Sequence, residues 1–292
     1  MLPGDLESAV LAFLRERFGK GLRLLSADPI SGGCIHNGRH LQTSEGDFFL
    51  KYNHLRELAN FETEIHGLGL LAGSETLGVP KPFGTGTTGA HAFLLMEYVQ
   101  SAGRGARFWE DFGEGLAAMH RQSAAAFGLE RSNFIGRLPQ SNGWRKGWVE
   151  FFVEERLEPQ LVMAERDGRA SKDLRRQFEA LYVRLGELMP EEPPSLLHGD
   201  LWSGNFMVGS QGNAVVFDPA VFYGHREAEI AFTRLFGGFS GAFYAAYLNA
   251  WPLQPGWEER IDLFNLYPLT VHLNLFGSGY LPEIQSILRR FA

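Results

Sequence analysis

Leu196-Leu197-His198-Gly199-Asp200-Leu201-Trp202-Ser203-Gly204-Asn205 is followed, after a short turn, by Ala214-Val215-Val216-Phe217-Asp218-Pro219. The first stretch has the form H-x-D-x-x-x-x-N and reads as a loop between apolar segments. The second reads as an apolar strand that ends in a carboxylate. Together they offer three hard oxygen donors, Asp200, Asn205 and Asp218, on two neighbouring loops.

Transfer of a phosphoryl group from a nucleotide to an alcohol needs those residue types at that spacing. A hydroxyl must be aimed at the terminal phosphorus and must lose its proton as the new bond forms. One carboxylate, Asp200, serves both ends as the catalytic base. The triphosphate carries dense negative charge, so Mg²⁺ is expected, held by the Asn205 amide oxygen and the Asp218 carboxylate. His198 is expected to scaffold the loop and is not assigned as a base. The spacing therefore matches a kinase catalytic loop and the later metal-binding Asp, and ATP is the expected phosphoryl donor.

Working outward, the chain before this loop has the order of a small α+β lobe. Asp5 is expected to cap a helix whose apolar face is Leu6, Val10, Leu11, Leu14 and Phe18. A strand around Leu22–Leu25 follows. The small-residue turn Ser31–Gly38 comes next, then paired strands at Arg39–Thr43 and Phe48–Tyr52. A helix is expected over Arg56–Leu71, with Gly73 as its stop. Pro80 and Pro82 punctuate a loop, and His91–Val99 reads as a buried strand.

Lys51 sits on the alternating strand Phe48–Tyr52, where it can reach the α/β-phosphates with a helix carboxylate to steady it. Glu64 is the expected partner, with Glu62 and Glu57 as the other carboxylates of that region. Backbone groups of Gly32, Gly33 and Cys34 are expected to cover phosphates. Met96, Glu97 and Tyr98 end the strand at the crossing between lobes, where backbone groups can meet an adenine edge.

After Gln100 helical patterns dominate, at Phe108–His120, Trp144–Glu165, Ser171–Met189, Ala228–Phe236, Phe243–Trp251 and Glu258–Leu275. The loop-and-strand stretch Leu196–Tyr223 interrupts them. The expected fold is thus α+β and two-lobed, protein-kinase-like, with a small β-rich N-lobe at residues 1–98 and a larger, mainly helical C-lobe at 99–292.

Several other classes are excluded by composition. Of 292 residues 45% are hydrophobic, enough for a sizeable core, and the formal charge is −7. That acidic balance argues against broad nucleic-acid or anionic-membrane binding. Cys34 is the sole cysteine, so neither an internal disulfide nor a cysteine metal site forms. No apolar run of about 18 residues exists to span a membrane, and the N-terminal residues lack a signal-peptide pattern. A cytoplasmic chain is expected.

Beyond the generic kinase pattern, HGDLWSGN (198–205) and FDPAVFYGHREAEIAFTRLFGGF (217–239) closely resemble the fructosamine/ketosamine-3-kinase family. So do GGCIHNGR (32–39), LLMEYV (94–99) and NFIGRLPQSNGW (133–144). The likeness runs along nearly the whole chain. It departs at His36, where the family commonly has Asn. The resemblance implies an aminoglycoside-phosphotransferase type of fold and phosphorylation of the 3-hydroxyl of ketoamines, free or protein-bound, after which the adduct eliminates and frees its amine. It also implies Asp200 as base, Asn205 and Asp218 on Mg²⁺, and Lys51 with Glu64 on ATP.

Other kinases of small molecules such as aminoglycosides or choline, and a nucleotide-binding pseudokinase, are the competing readings. Intact Lys51, Asp200, Asn205 and Asp218 argue against the pseudokinase. Trp202, two residues after the base, faces the acceptor or packs the loop. His272 and Asn274, on a late helix, line the acceptor side or belong to the core. The chain is expected to be a monomer, or a dimer linked through Cys34.

Overall fold

The computed structural model describes residues 2–30 and 36–292. Along the chain come α1 (Gly4–Phe18), β1 (Leu24–Ile30), β2 (Asn37–Thr43), β3 (Gly46–His54), α2 (Leu58–Gly73), β4 (Pro82–Thr87) and β5 (His91–Glu97). Then follow α3 (Phe108–His120), β6 (Asn133–Ile135), β7 (Leu138–Gln140) and α4 (Trp148–Phe151), which runs through a π-helical turn (Phe152–Leu157) into α5 (Glu158–Arg166). The rest is α6 (Lys172–Leu188), β8 (Ser195–Leu197), β9 (Phe206–Val208), β10 (Ala214–Val216), β11 (Phe222–Gly224), α7 (Arg226–Leu235), α8 (Gly241–Ala250), α9 (Trp257–Phe276) and α10 (Leu281–Phe291). The mixture of an antiparallel sheet early and helices later is the α+β, protein-kinase-like class.

The chain forms two compact units, Met1–Phe108 with Phe206–Pro219, and Trp109–Asn205 with Ala220–Ala292. They differ from the expected lobes of 1–98 and 99–292 in that residues 99–108 and the β9–β10 hairpin fall in the first unit. Gly78 N–H donates to the Ala214 carbonyl at 3.1 Å, and Val216 N–H donates to the Gly78 carbonyl at 2.9 Å. Gly78 allows that approach, since a Cβ there would lie 2.8 Å from Val215 Cγ2.

In the first unit the strands run in the order β1-β2-β3-β5-β4, each pair antiparallel. Strand alternation sorts the two faces. Phe48, Leu50, Tyr52, Phe93 and Leu95 pack with Leu6, Val10 and Leu14 of α1. Ala92, Leu94 and Met96 pack with Phe61 and Leu68 of α2, and Phe49 joins them. Full burial of each such side chain stabilises by roughly 1.5–3 kcal/mol. Lys51 belongs by alternation to the α2 face.

Three expectations in this unit need correction. The Pro82–Thr87 segment is strand β4 and not loop; as an edge strand it tolerates its proline and glycines. Asp5 lies inside the first turn of α1 and makes no cap, because the helix already begins at Gly4. The first strand lies at Leu24–Ile30, displaced from Leu22–Leu25.

A core of the second unit gathers Phe151, Phe152, Phe178, Leu181, Phe264, Leu266, Ile284 and Leu288 among others. Ser171 caps α6 by accepting from Leu174 N–H at 3.2 Å. The hairpin β6–β7 and the helix α10 were not expected. Yet α10 buries Ile284, Ile287, Leu288 and Phe291, a spacing that marks one helical face. Among the described residues no helix is long and apolar enough to cross a membrane.

Candidate active site

In the first unit Lys51, Glu64 and Asp218 meet. Lys51, on β3 opposite Gly38 and Leu94, sends its ammonium into the α2 face. Its Nζ donates to Glu64 Oε1 at 3.0 Å and Oε2 at 2.8 Å, and to Asp218 Oδ1 at 2.7 Å. All three ammonium protons are thereby committed. Glu62 is exposed and Glu57 reaches Arg56 at 3.3 Å, so neither contacts Lys51. Asp218 holds a left-handed backbone with φ 55°, a conformation that costs a non-glycine residue about 1–3 kcal/mol and clusters at functional positions.

The electrostatics follow from burial of one cation between two carboxylates. Burial works against the charge on Lys51, but Asp218 and Glu64 overcome it and raise its pKa. Burial also pushes Asp218 up, yet the Lys51 charge and hydrogen bond hold it below the usual carboxylate range. Glu64 is pushed up to about 7 by burial against the pull of Lys51, with the neighbouring Asp218 charge adding to the rise. His36 lies near this group; burial and then the Lys51 charge push its imidazole down to about 4. Its Nδ1 accepts from Asn53 Nδ2 at 3.1 Å.

Of the expected adenine-side residues, Met96 is buried and pairs with Phe49. Glu97 Oε2 accepts from Lys81 N–H at 3.1 Å, and Tyr98 stacks on His40 with ring centroids 3.7 Å apart. Gly32, Gly33 and Cys34 lie outside the described residues.

The second unit holds the H-G-D loop. Gly199 bends it with φ +82°, and a Cβ there would fall 2.1 Å from the Ala220 carbonyl oxygen. Only glycine fits. The Ala220 N–H donates to the His198 carbonyl at 2.9 Å, so the loop and the residues after Asp218-Pro219 are stitched together. His198 is fully buried, and its Nδ1 accepts from Asp200 N–H at 3.3 Å, a scaffold contact.

Asn205 Nδ2 donates to the Asp200 carbonyl at 2.8 Å and to Asp200 Oδ2 at 2.9 Å. Both partners are acceptors, which fixes the amide and leaves its Oδ1 as the outward oxygen. Asp200 and Asn205 together offer carboxylate and amide oxygens, hard donors of the kind a divalent cation takes. In the first unit Asp218 offers a further carboxylate oxygen.

Sequence reasoning missed the support of this loop. Glu229, buried on α7, accepts from the His198 N–H at 3.0 Å, the Gly199 N–H at 2.7 Å and His120 Nε2 at 2.9 Å. His120 Nδ1 in turn accepts from the Tyr247 hydroxyl at 2.8 Å. Burial works to raise the Glu229 pKa, but the His120 hydrogen bond and the loop donors hold it below the usual value. A glutamate on an amphipathic helix ordinarily reads as solvated, so no local signal marked it.

Trp202 folds back over Gly204 and lies 6.3 Å from Phe236, whose ring is 4.8 Å from His272. Those two expected acceptor-side residues thus share one aromatic cluster, with Phe276 and Tyr280 beside His272. Asn274 lies apart from it. Its amide donates to Gln160 O and Oε1 at 2.8 and 2.9 Å, tying α9 to α5.

An H-G-D loop and a buried Lys51–Glu64 pair on a protein-kinase-like fold are features of a phosphotransferase that acts on hydroxyl groups. The model of the fructosamine kinase family matches residues 6–292. The chloroplastic protein-ribulosamine 3-kinase of Arabidopsis thaliana is 38% identical over 277 residues, covering 92% of this chain and 83% of its own. A crystal structure of a Haemophilus somnus protein provisionally named a fructosamine-3-kinase superposes with a TM-score of 0.87 at 27% identity, covering 98% and 97%. The aminoglycoside phosphotransferase APH(4)-Ia shares the fold, with a TM-score of 0.64 at 16% identity over 98% and 99%. The chain belongs to the fructosamine kinase family.

Proposed function

We propose that this protein uses ATP and Mg²⁺ to phosphorylate the 3-hydroxyl of ketoamines, and so starts the removal of sugar adducts from amines. The observation that carries the reading is the family match along residues 6–292, joined to an intact set of Lys51, Glu64, Asp200, Asn205 and Asp218. The Arabidopsis relative is named for ribulosamine on protein, which supports an acceptor among ketosugars attached to amines.

Asp200 orients the 3-hydroxyl and accepts its proton as the oxygen bonds to the γ-phosphorus. The bond from that phosphorus to the β-γ bridging oxygen breaks, and its electron pair leaves with ADP. Asn205 and Asp218 would hold Mg²⁺, which when bound offsets the charge of the triphosphate. Glu64 keeps Lys51 in place. Because every ammonium proton is already committed, Lys51 reaches a phosphate by giving up its bond to Asp218 while keeping Glu64. The 3-phosphate is a better leaving group than the alcohol. Enolisation across C1 and C2 of the ketoamine expels it, and hydrolysis of the resulting imine frees the amine.

An acceptor screen tests this. The protein is incubated with Mg-ATP and fructosyl-, ribulosyl- or erythrulosyl-lysine, beside choline and an aminoglycoside, while ADP and free lysine are measured. ADP and lysine are expected with the ketoamines. ADP formed only with choline or the aminoglycoside would overturn the assignment.

A further inference from the structure

We infer that the segment Asn133–Trp144 is the mould against which the catalytic loop is shaped, and that Gln140 is a positioning residue for Asp200. This rests on the proposed phosphotransfer. The segment NFIGRLPQSNGW has so far no task in it. It forms the β6–β7 hairpin and turns three buried amides inward.

Gln140, 2% exposed, donates from Nε2 to the Ala220 carbonyl at 3.1 Å and to Asn133 Oδ1 at 2.8 Å. Asn133 Nδ2 donates to the next carbonyl, Val221, at 2.8 Å. Asn142 Nδ2 donates to Asn133 Oδ1 at 2.9 Å, and Asn142 Oδ1 accepts from Arg156 at 2.7 Å. The far end of Gln140 is fixed too, since the Tyr267 hydroxyl donates to Oε1 at 2.5 Å. Each amide has acceptors on its nitrogen side and donors on its oxygen side. The network therefore closes in one arrangement only.

What it fixes is the Ala220 carbonyl. Gly199 is seated on that same oxygen, and Asp200 is the next residue. A shift of the carbonyl is therefore passed to Asp200 through a single peptide. An apolar plug of the same volume would fill this space with no desolvation of polar groups; what the amides add is the set height of one oxygen. The π-helical turn Phe152–Leu157 belongs to the same device, for it carries Arg156, buried over the Phe222 ring at 3.9 Å, to the Asn142 oxygen.

The test uses the full chain with Mg-ATP and fructosyl-lysine. Gln140→Met keeps length and volume but loses both polar ends, and Tyr267→Phe removes only the outer donor. The expected result is a kcat lower by about 10²-fold for Gln140→Met, the usual scale for roughly 1 Å of misplacement, with KM for ATP within about twofold. Tyr267→Phe is expected to lower kcat by about tenfold with only a small drop in melting temperature, and it carries the test if Gln140→Met does not fold. Combining Gln140→Met with Gly199→Ala should cost less than the product of the separate losses, since both displace one carbonyl. A folded Gln140→Met or Tyr267→Phe variant with wild-type kcat, or losses that multiply in the double variant, would overturn the inference. Were wild type to transfer nothing to any ketoamine, the acceptor assignment would fail instead, and the same variants would be read by slow Mg-ATP hydrolysis.

Discussion

Replacing Gly199 by Ala should damage catalysis and folding together, by amounts the loop geometry sets. The added Cβ would lie 2.1 Å from the Ala220 oxygen and 2.7 Å from its carbon. Normal contact begins at about 3.5 Å, so two backbone segments must part by more than about 1 Å. Neither atom is the end of a side chain that can swing away. The left-handed backbone at φ +82° adds about 1–2 kcal/mol for any residue with a Cβ. Overpacking adds about 1–3 kcal/mol. The sum, about 2–5 kcal/mol, corresponds to a Tm lower by roughly 5–15 °C for a chain of this size. Because Asp200 follows directly, kcat should fall by about 10²-fold in the molecules that remain folded. Circular-dichroism melting and steady-state ADP release with Mg-ATP and a ketoamine measure both. A variant with unchanged Tm and kcat within about twofold would refute the reasoning.

Lys51→Met removes the cation between Glu64, 5% exposed, and Asp218; KM for ATP should rise and kcat/KM fall by about 10²–10³-fold, read by initial rates. Glu229→Gln puts an amide N–H₂ among three donors, from His198, Gly199 and His120, and should cost about 1–3 kcal/mol in melting together with a drop in kcat. His225 caps α7 by accepting from Glu227 N–H on Nδ1 while its Nε2 donates to Pro190, so it is held neutral. Burial, and then the Arg226 and Arg260 charges, push it down to about 3 against the pull of Pro190. Its contribution is complete above about 6.5 and drains as pH falls towards 3, by about 1.4 kcal/mol per unit. Urea melts at successive pH values should show that slope in wild type and its loss in His225→Asn.

The loop of Asp200 and Asn205 was legible because both residues lie within one short stretch whose chemistry demands their spacing. Lys51 was legible through strand alternation, and Glu64 through its place on the following helix. What stayed hidden depends on distant pairing. Glu229 reads as a solvated helix residue until His120, far away in sequence, is seen against it. Gln140 and Asn133 gain a task only when Ala220 and Val221 arrive beside them. Strand β4 was masked by its own proline and glycines, which an edge position tolerates. The α10 face of Ile284, Ile287, Leu288 and Phe291 carries its helical period in the sequence itself. Asn274 illustrates the converse: a polar residue on a candidate helix, turned to packing against Gln160.

Phosphoryl transfer to the ketoamine itself is the central claim, and ³¹P NMR of fructosyl-lysine incubated with Mg-ATP observes it directly. A phosphate ester on the sugar 3-carbon should appear as ATP is consumed, followed by free lysine, and should be missing with Asp200→Asn. ATP consumed at the same rate with no sugar ester, or an ester formed equally well by Asp200→Asn, would contradict the account.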